Sequence, residues 1–277
     1  MSSNPEHCLS SQSDVLNGYA EFAVPTIADG KVFASGGTGV SVYAEPASDA
    51  PFVAAVTNAA SYAADAISPG SLICLFGSGL AAVTANASQV PLPLSVADTS
   101  VTINGLVAPL LYESPGQVNA QVPWETSAGA ATVVVRTRGA VSPPVTINVQ
   151  PAAPGLFTDG AGHAAALNAD GSANSAQHPA RAGSFVSVFF TGQGPVAASL
   201  EDGDAPSVGQ TISASLNVSA TIGNLPVQIK FAGLAPLYPG VAQINLTVPA
   251  LASGVYPVTI TVGGKISNTA QLAISGT

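Results

Sequence analysis

Apolar and polar residues alternate along most of this chain with a period of two. In QVNAQV, residues 117–122, Val118, Ala120 and Val122 share one side, and Gln117, Asn119 and Gln121 share the other. That is the signature of a half-buried strand, because successive side chains of a strand point to opposite faces. ATVVVRT, VTINV, SFVSVFF and VTITV read the same way and are rich in Val and Thr, which suit a pleated surface. Gly, Pro, Asn or Asp punctuates these runs at short intervals. No stretch of a dozen residues carries a 3.6-residue apolar stripe free of Gly and Pro.

The pattern also repeats. SPGSLICLFGSGLA, VTINGLVAPLLY, PGQVNAQVP and ATVVVRTRGAVSPPVTINV are answered in the same order by RAGSFVSVFFTGQGP, SATIGNLPVQIKFA, PGVAQINLTVP and YPVTITVGGKISNTAQLAI. Gly70 answers Gly183, Gln117 answers Gln243, Asn119 answers Asn245, Pro123 answers Pro249 and Ser142 answers Ser267. The spacing between partners lengthens along the chain, so insertions fall in loops, as two copies of one fold allow. The expected fold is all-β, with two tandem immunoglobulin-like β-sandwiches of about 100 residues each. The domains expected are a strand segment over residues 1–50, a first sandwich over 51–152 and a second over 153–277. The second includes a hairpin insertion at 153–180. Residues 151–180 match neither repeat, and Asn168–Gly171 within them reads as a hairpin turn. In the first segment, runs around Ala28-Asp29-Gly30 and after Gly36 read as two or three short antiparallel strands, too few to bury a core alone.

These motifs carry a resemblance. FGSGL, VTINGLVAPLLY and QVNAQVPWETSAGAATVVVRTRGAVS look like an IPT/TIG immunoglobulin-like domain. PGQVNAQVPW, APGLFT, NADGSAN and TGQGP resemble more closely a paired C-terminal module of secreted proteins of soil Acidobacteria such as Solibacter, over about residues 52–275. There the module follows large extracellular domains, often β-propellers. FAVPTIADGKVFASGGTGVSVYA similarly resembles the closing strands of a quinoprotein-type propeller. Only part of one blade is present, so that family's cofactor chemistry does not carry over.

Composition narrows the function. Only 8% of residues are charged, and six Lys/Arg against fifteen Asp/Glu give a net charge of −9. Without a basic cluster, nucleic-acid binding has no electrostatic support, and an anionic membrane surface is repelled. No run of about 18 apolar residues predicts membrane insertion. Low charge with abundant Ser, Thr and Gly fits an extracellular or cell-surface protein. The N-terminal residues MSSNPEHCLSSQSD carry no signal peptide, so the chain reads as a piece of a longer exported protein. Cys8 and Cys74 leave two readings open, a disulfide or a buried small hydrophobe at Cys74.

The candidate chemistry is sparse. Gly77-Ser78-Gly79-Leu80-Ala81-Ala82 matches a dinucleotide fingerprint, but no helix pattern follows to receive a pyrophosphate. Gly192-Gln193-Gly194 repeats it in the second copy, which favours a strand-ending turn; no cofactor is expected. Gly-x-Ser-x-Gly, HExxH and paired CxxC are absent. His163, Asp170 and His178, with Asp159 nearby, form a conceivable His/Asp constellation for a small hydrolase of an ester or lactone, metal-dependent or not, built on the 159–204 loops. Glu201, Asp202 and Asp204 put three carboxylates on one turn, a group calcium would take.

Amides beside a tryptophan also suggest sugar binding. Gln117 and Asn119 recur as Gln243 and Asn245 and so read as part of the fold, with their amides bonding neighbouring turn backbone. That leaves Gln121, Trp124 and Glu125, with Tyr112, as ligand-binding candidates for a polysaccharide or another surface protein. The N-terminal strand segment, if its edge is unpaired, is a route to dimerisation. The leading expectation is a non-catalytic extracellular module for spacing, adhesion, or partner or glycan binding, with the hydrolase as the alternative.

Overall fold

Period-two alternation becomes two sandwiches because each sheet buries only the apolar side of its strands. The computed structural model describes the backbone of three strands between residues 26 and 44, and residues 50–198 and 200–276. Every regular element among the described residues is a strand. Contacts divide the chain at Asp49 and Ala50 into two units. In the first, Thr26–Ala28, Lys31–Gly36 and Gly39–Ala44 form a three-stranded antiparallel sheet in that order. The second unit holds both sandwiches.

In the first sandwich, one sheet runs Phe52–Asn58, Leu72–Ser78, Gln117–Gln121, Leu110–Ser114 and Ala85–Asn86. The facing sheet centres on Gly129–Thr137, flanked by Thr99–Ile103 on one side and Val145–Val149 on the other. The enclosed core includes Val56, Ile73, Leu75, Val101, Ile103, Val118, Ala120, Val133 and Val135. Each large aliphatic side chain here contributes roughly 1.5–3 kcal/mol by leaving water.

The second sandwich repeats this plan. Phe185–Thr191 and Ala242–Thr247 stand where Leu72–Ser78 and Gln117–Gln121 stand in the first, and Ile229–Leu234 follows them. Gly254–Val262 and Val218–Ile222 form the heart of the opposite sheet. The equivalence extends to single hydrogen bonds. Gly70 N–H donates to Val122 O, and Gly183 N–H to Val248 O, both at 2.9 Å. Ser142 Oγ accepts from Val135 N at 3.0 Å, and Ser267 Oγ from Ile260 N at 3.1 Å.

One expectation changes. Residues 151–180 do belong to the repeat. Gly155–Leu156 and Ala166–Asn168 both pair antiparallel with Phe185–Thr191, as Phe52–Asn58 pairs with Leu72–Ser78. The first strand of the second sandwich is therefore split by a loop over residues 157–165, which breaks its period and hid it in the sequence. Ala180–Arg181 then crosses to the other sheet and pairs parallel with Ala270–Ser275. Ile67 makes the matching parallel bridge to Val149 in the first sandwich. Asn168–Gly171 does form a tight turn, with Gly171 N donating to Asn168 O at 2.9 Å and Leu167 bridging Ala173.

The first core contains one polar intrusion. Glu113, opposite Val118, turns inward and is 0% exposed. Neither carboxyl oxygen has a hydrogen-bond partner. Burial pushes its pKa up; the Thr99 hydroxyl, which is directed at Thr137 Oγ1 at 3.3 Å, opposes this only in part, and nearby Asp98 adds to the rise. The second sandwich has Ala232, Val218 and Val262 at the matching registers. An acid with a raised folded-state pKa favours folding below its ordinary range and loses that contribution as pH rises through the raised value. Glu113→Gln is therefore expected to stabilise the protein at neutral pH by about 1 kcal/mol. It should also flatten the fall in stability with rising pH; urea denaturation at several pH values measures both.

Candidate functional site

Gln121, Trp124 and Glu125 leave the strand Gln117–Gln121 at the end of the first sandwich that meets the second. Gln121 is 0% exposed. Its Oε1 accepts from Gly203 N at 2.7 Å, and its Nε2 donates to Gly70 O at 3.4 Å. Gly203 O accepts from Leu92 N at 2.8 Å, so the loop carrying Glu201–Asp204 is held from both sides by the first sandwich. Gly203 has φ +80°, and a Cβ there would lie 2.8 Å from Leu92 O, so the contact needs glycine. Trp124 N donates to Asp202 Oδ1 at 2.8 Å, and its indole lies on the Cα of Gly70. A second group of contacts closes the seam nearer the linker. Leu72 N donates to Thr191 Oγ1 at 2.8 Å, Thr191 Oγ1 donates to Gly240 O at 2.7 Å, and Asn58 Nδ2 donates to Ala153 O at 2.9 Å.

The acidic turn is thus a docking element. Burial raises the pKa of Asp202; the Trp124 N–H opposes that rise, while Glu125 and Glu201 reinforce it. Asp204 Oδ1 accepts from Ala205 N at 2.9 Å. Among the described residues, no three His, Cys, Asp or Glu side chains stand together as a metal would require.

The His/Asp residues divide differently from the sequence grouping. His163 Nδ1 meets Asp159 Oδ2 at 2.8 Å, with both side chains about half exposed. This hydrogen bond is the main cause of the lowered Asp159 pKa. Asp170 Oδ1 instead accepts from the Ser172 hydroxyl at 2.6 Å and the Ser172 N–H at 2.9 Å, which lower its pKa, and His178 adds only a weak charge effect. His178 is held by its backbone, N–H to Ser175 and carbonyl to Asn168 Nδ2. A cavity of about 690 Å³ is lined by Asp159, His163, Asn174, Ser175 and Gln177 among others; Asp170 and His178 are outside its lining.

The glycine motifs serve the backbone. Gly192 has φ +86°, and a Cβ would strike Ala153 O where the linker passes. Cys74 is a free, buried thiol whose pKa burial pushes to about 11 against a weak bond from Gln117. Cys8 lies outside the described residues.

Gln117 and Asn119 are bonded to each other, contrary to the expectation that they tie down turn backbone. Gln117 Nε2 donates to Asn119 Oδ1 at 2.7 Å, and Gln243 Nε2 donates to Asn245 Oδ1 at 2.8 Å. All four side chains lie on the outer, partly exposed face of their sheet. Tyr112 is on the same face, paired with Asn119. Period two put these residues opposite the core from the start, but only the sheet shows which aromatics flank them.

No family model and no curated protein sequence matches the chain, so the IPT/TIG-type likeness stays a resemblance. Solved structures overlay parts of it. A Bacteroides ovatus surface glycan-binding protein in complex with a mixed-linkage heptasaccharide is 16% identical with a TM-score of 0.36, covering 89% of this chain and 52% of that one. A surface glycan-binding protein of Prevotella bryantii is 15% identical with a TM-score of 0.27, covering 82% and 43%. An Escherichia coli adhesin is 13% identical with a TM-score of 0.25, covering 89% and 73%. The chain spans about half the length of the Bacteroides ovatus protein. No helix among the described residues is long and apolar enough to cross a membrane.

The seam predicts opposite effects at one residue. Asp202→Asn keeps an acceptor for Trp124 N–H and removes a charge crowded by Glu125 and Glu201, so it should raise the melting temperature at neutral pH. Asp202→Ala leaves Trp124 N–H unpaired and should cost about 1 kcal/mol. Differential scanning calorimetry separates the two, and Asp202→Ala should also broaden or split the transition as the sandwiches uncouple.

Proposed function

We propose that this chain is a non-catalytic extracellular binding module: two immunoglobulin-like sandwiches held as one body that present their outer sheet faces to a glycan or a surface partner. The observation that carries this reading is the closed seam. The Gln121 side chain, the Trp124 backbone N–H and the Asp202 carboxylate are spent on fixing one sandwich to the other. A spacer or adhesive module needs that stiffness, because a fixed pair presents its surfaces without the ordering cost of a flexible link. Low charge and the Ser-, Thr- and Gly-rich composition support an extracellular setting.

A second reading, hydrolysis of an ester or lactone, is favoured by one feature. Asp159 and His163 have the mutual orientation of the acid–base half of a triad, and Ser175 lines the same cavity. Against it, Ser175 Oγ is engaged by His178 N–H at 3.1 Å, and the Asp159–His163 pair is solvent-exposed. An activated nucleophile needs its base within hydrogen-bond reach, and the hydrogen bonds described include none between Ser175 and His163.

Purified protein is expected to show no turnover above background on a panel of chromogenic esters and lactones, with or without chelator. Turnover that disappears in His163→Ala would overturn the binding-module reading and establish the hydrolase.

A further inference from the structure

A Gln–x–Asn pair on the outside of a sheet serves no core. Asn is a poor strand former and Gln a neutral one at best, and the side chains in question lie opposite Val118, Ala120, Ile244 and Leu246, which fill the two interiors. Their surroundings correspond in the two sandwiches, with an aromatic at the same two register positions. Gln117 stands opposite Phe76, and Gln243 opposite Phe189. Asn119 stands between Cys74 and Tyr112, and Asn245 between Ser187 and Phe231. In each sheet a bulge lies at this point, between the pairs Tyr112/Asn119 and Leu110/Ala120 in one and Phe231/Asn245 and Ile229/Leu246 in the other. Bulges re-aim side chains, and here the residue brought beside the asparagine is aromatic both times.

The polar atoms are arranged for a ligand. With Gln Nε2 committed to Asn Oδ1, each pair retains Gln Oε1 as an acceptor and Asn Nδ2 as a donor, and neither has a protein partner among the described residues. Adjacent hydroxyls of a pyranose match this pair, one donating to Oε1 and the next accepting from Nδ2. Aromatic rings on either side offer flat apolar surface to the C–H face of a sugar, the usual complement to a few fixed polar groups. Further rings extend each face: Tyr62, 62% exposed, has its ring 6.3 Å from that of Phe76, and Phe185, 38% exposed, lies two residues before Ser187 on the same side of its strand. The net charge of −9 repels an acidic glycan and leaves a neutral one as the fitting ligand.

We propose that the outer faces of the two sheets carry equivalent subsites for a neutral polysaccharide, Phe76–Gln117–Asn119–Tyr112 on the first sandwich and Phe189–Gln243–Asn245–Phe231 on the second. This rests on the binding-module reading above and specifies its ligand class and its site.

Native electrophoresis through gels cast with a β-glucan, an arabinoxylan, a galactomannan or an α-glucan tests it on the full chain, whose own negative charge drives migration. At least one polysaccharide should retard the wild type without release of reducing ends. Asn119→Ala with Asn245→Ala should weaken that retardation by about tenfold or more while melting cooperatively, and either single substitution should weaken it less. Titrating an oligosaccharide of the retarding polymer should also shift the side-chain amide NMR signals of Gln117, Asn119, Gln243 and Asn245 in the unsubstituted protein. That readout does not depend on a variant's folding. If no polysaccharide retards the wild type, or those amide signals stay fixed, the subsites do not exist. Retardation unchanged in the double variant would remove the site and leave the binding module, whereas release of reducing ends would remove the module reading itself.

Discussion

A strand has two faces and a sandwich can bury only one of them. Gln117–Gln121 and Ala242–Thr247 follow that constraint: the inward residues are buried at the centres of the two cores, and the outward residues are partly exposed, except Gln121, which the seam covers. The core residues could be exchanged for others of similar volume with modest effect, because cores tolerate volume-conserving swaps. The outward residues answer to no such requirement. Their recurrence at the same register, with an aromatic opposite each glutamine and another beside each asparagine, is therefore the part of the repeat that core packing leaves unexplained.

Where the two copies differ, they touch. Gln121, Trp124 and Glu125 become Thr247, Ala250 and Leu251 in the second copy. In the first copy, two of the three make the hydrogen bonds that capture the Glu201–Asp204 loop. A heterologous seam demands this asymmetry, because the patch one sandwich offers has to fit a different patch on the other. The residues also give the acidic loop a structural duty: Asp202 supplies the acceptor for Trp124 N–H, and Gly203 supplies both backbone groups that the first sandwich binds.

The all-β class, the two sandwiches and the pairing of repeated positions were legible because they depend on alternation and turn residues, which are local. Three things were not. The split first strand of the second sandwich was obscured because its two parts, Gly155–Leu156 and Ala166–Asn168, are too short to show a period. The seam was hidden because it joins Gln121 to Gly203 across the two copies, and a buried glutamine reads like an exposed one in sequence. The partners of Gln117 and Asn119 were misplaced because a side-chain amide two residues away on the same face is as near as a turn, and only the pleat decides between them. Recurrence in both copies reads as structural duty in the sequence; recurrence on the outer face points to duplicated surface as readily.

The two sandwiches also differ in how completely they hide polar groups, which bears on which copy carries what. The second replaces Glu113, Thr99 and Thr137 with Ala232, Val218 and Val262 and so has an apolar interior at that end. The first keeps a buried carboxyl without a hydrogen-bond partner, a group that costs stability for as long as it is there. Glu113 is next to Tyr112 in the strand and opposite Val118, between the outward Gln117 and Asn119. The first copy therefore keeps an unrelieved acid beneath its amide pair, where the second has an alanine. The copies thus share an outer-face pattern and differ beneath it.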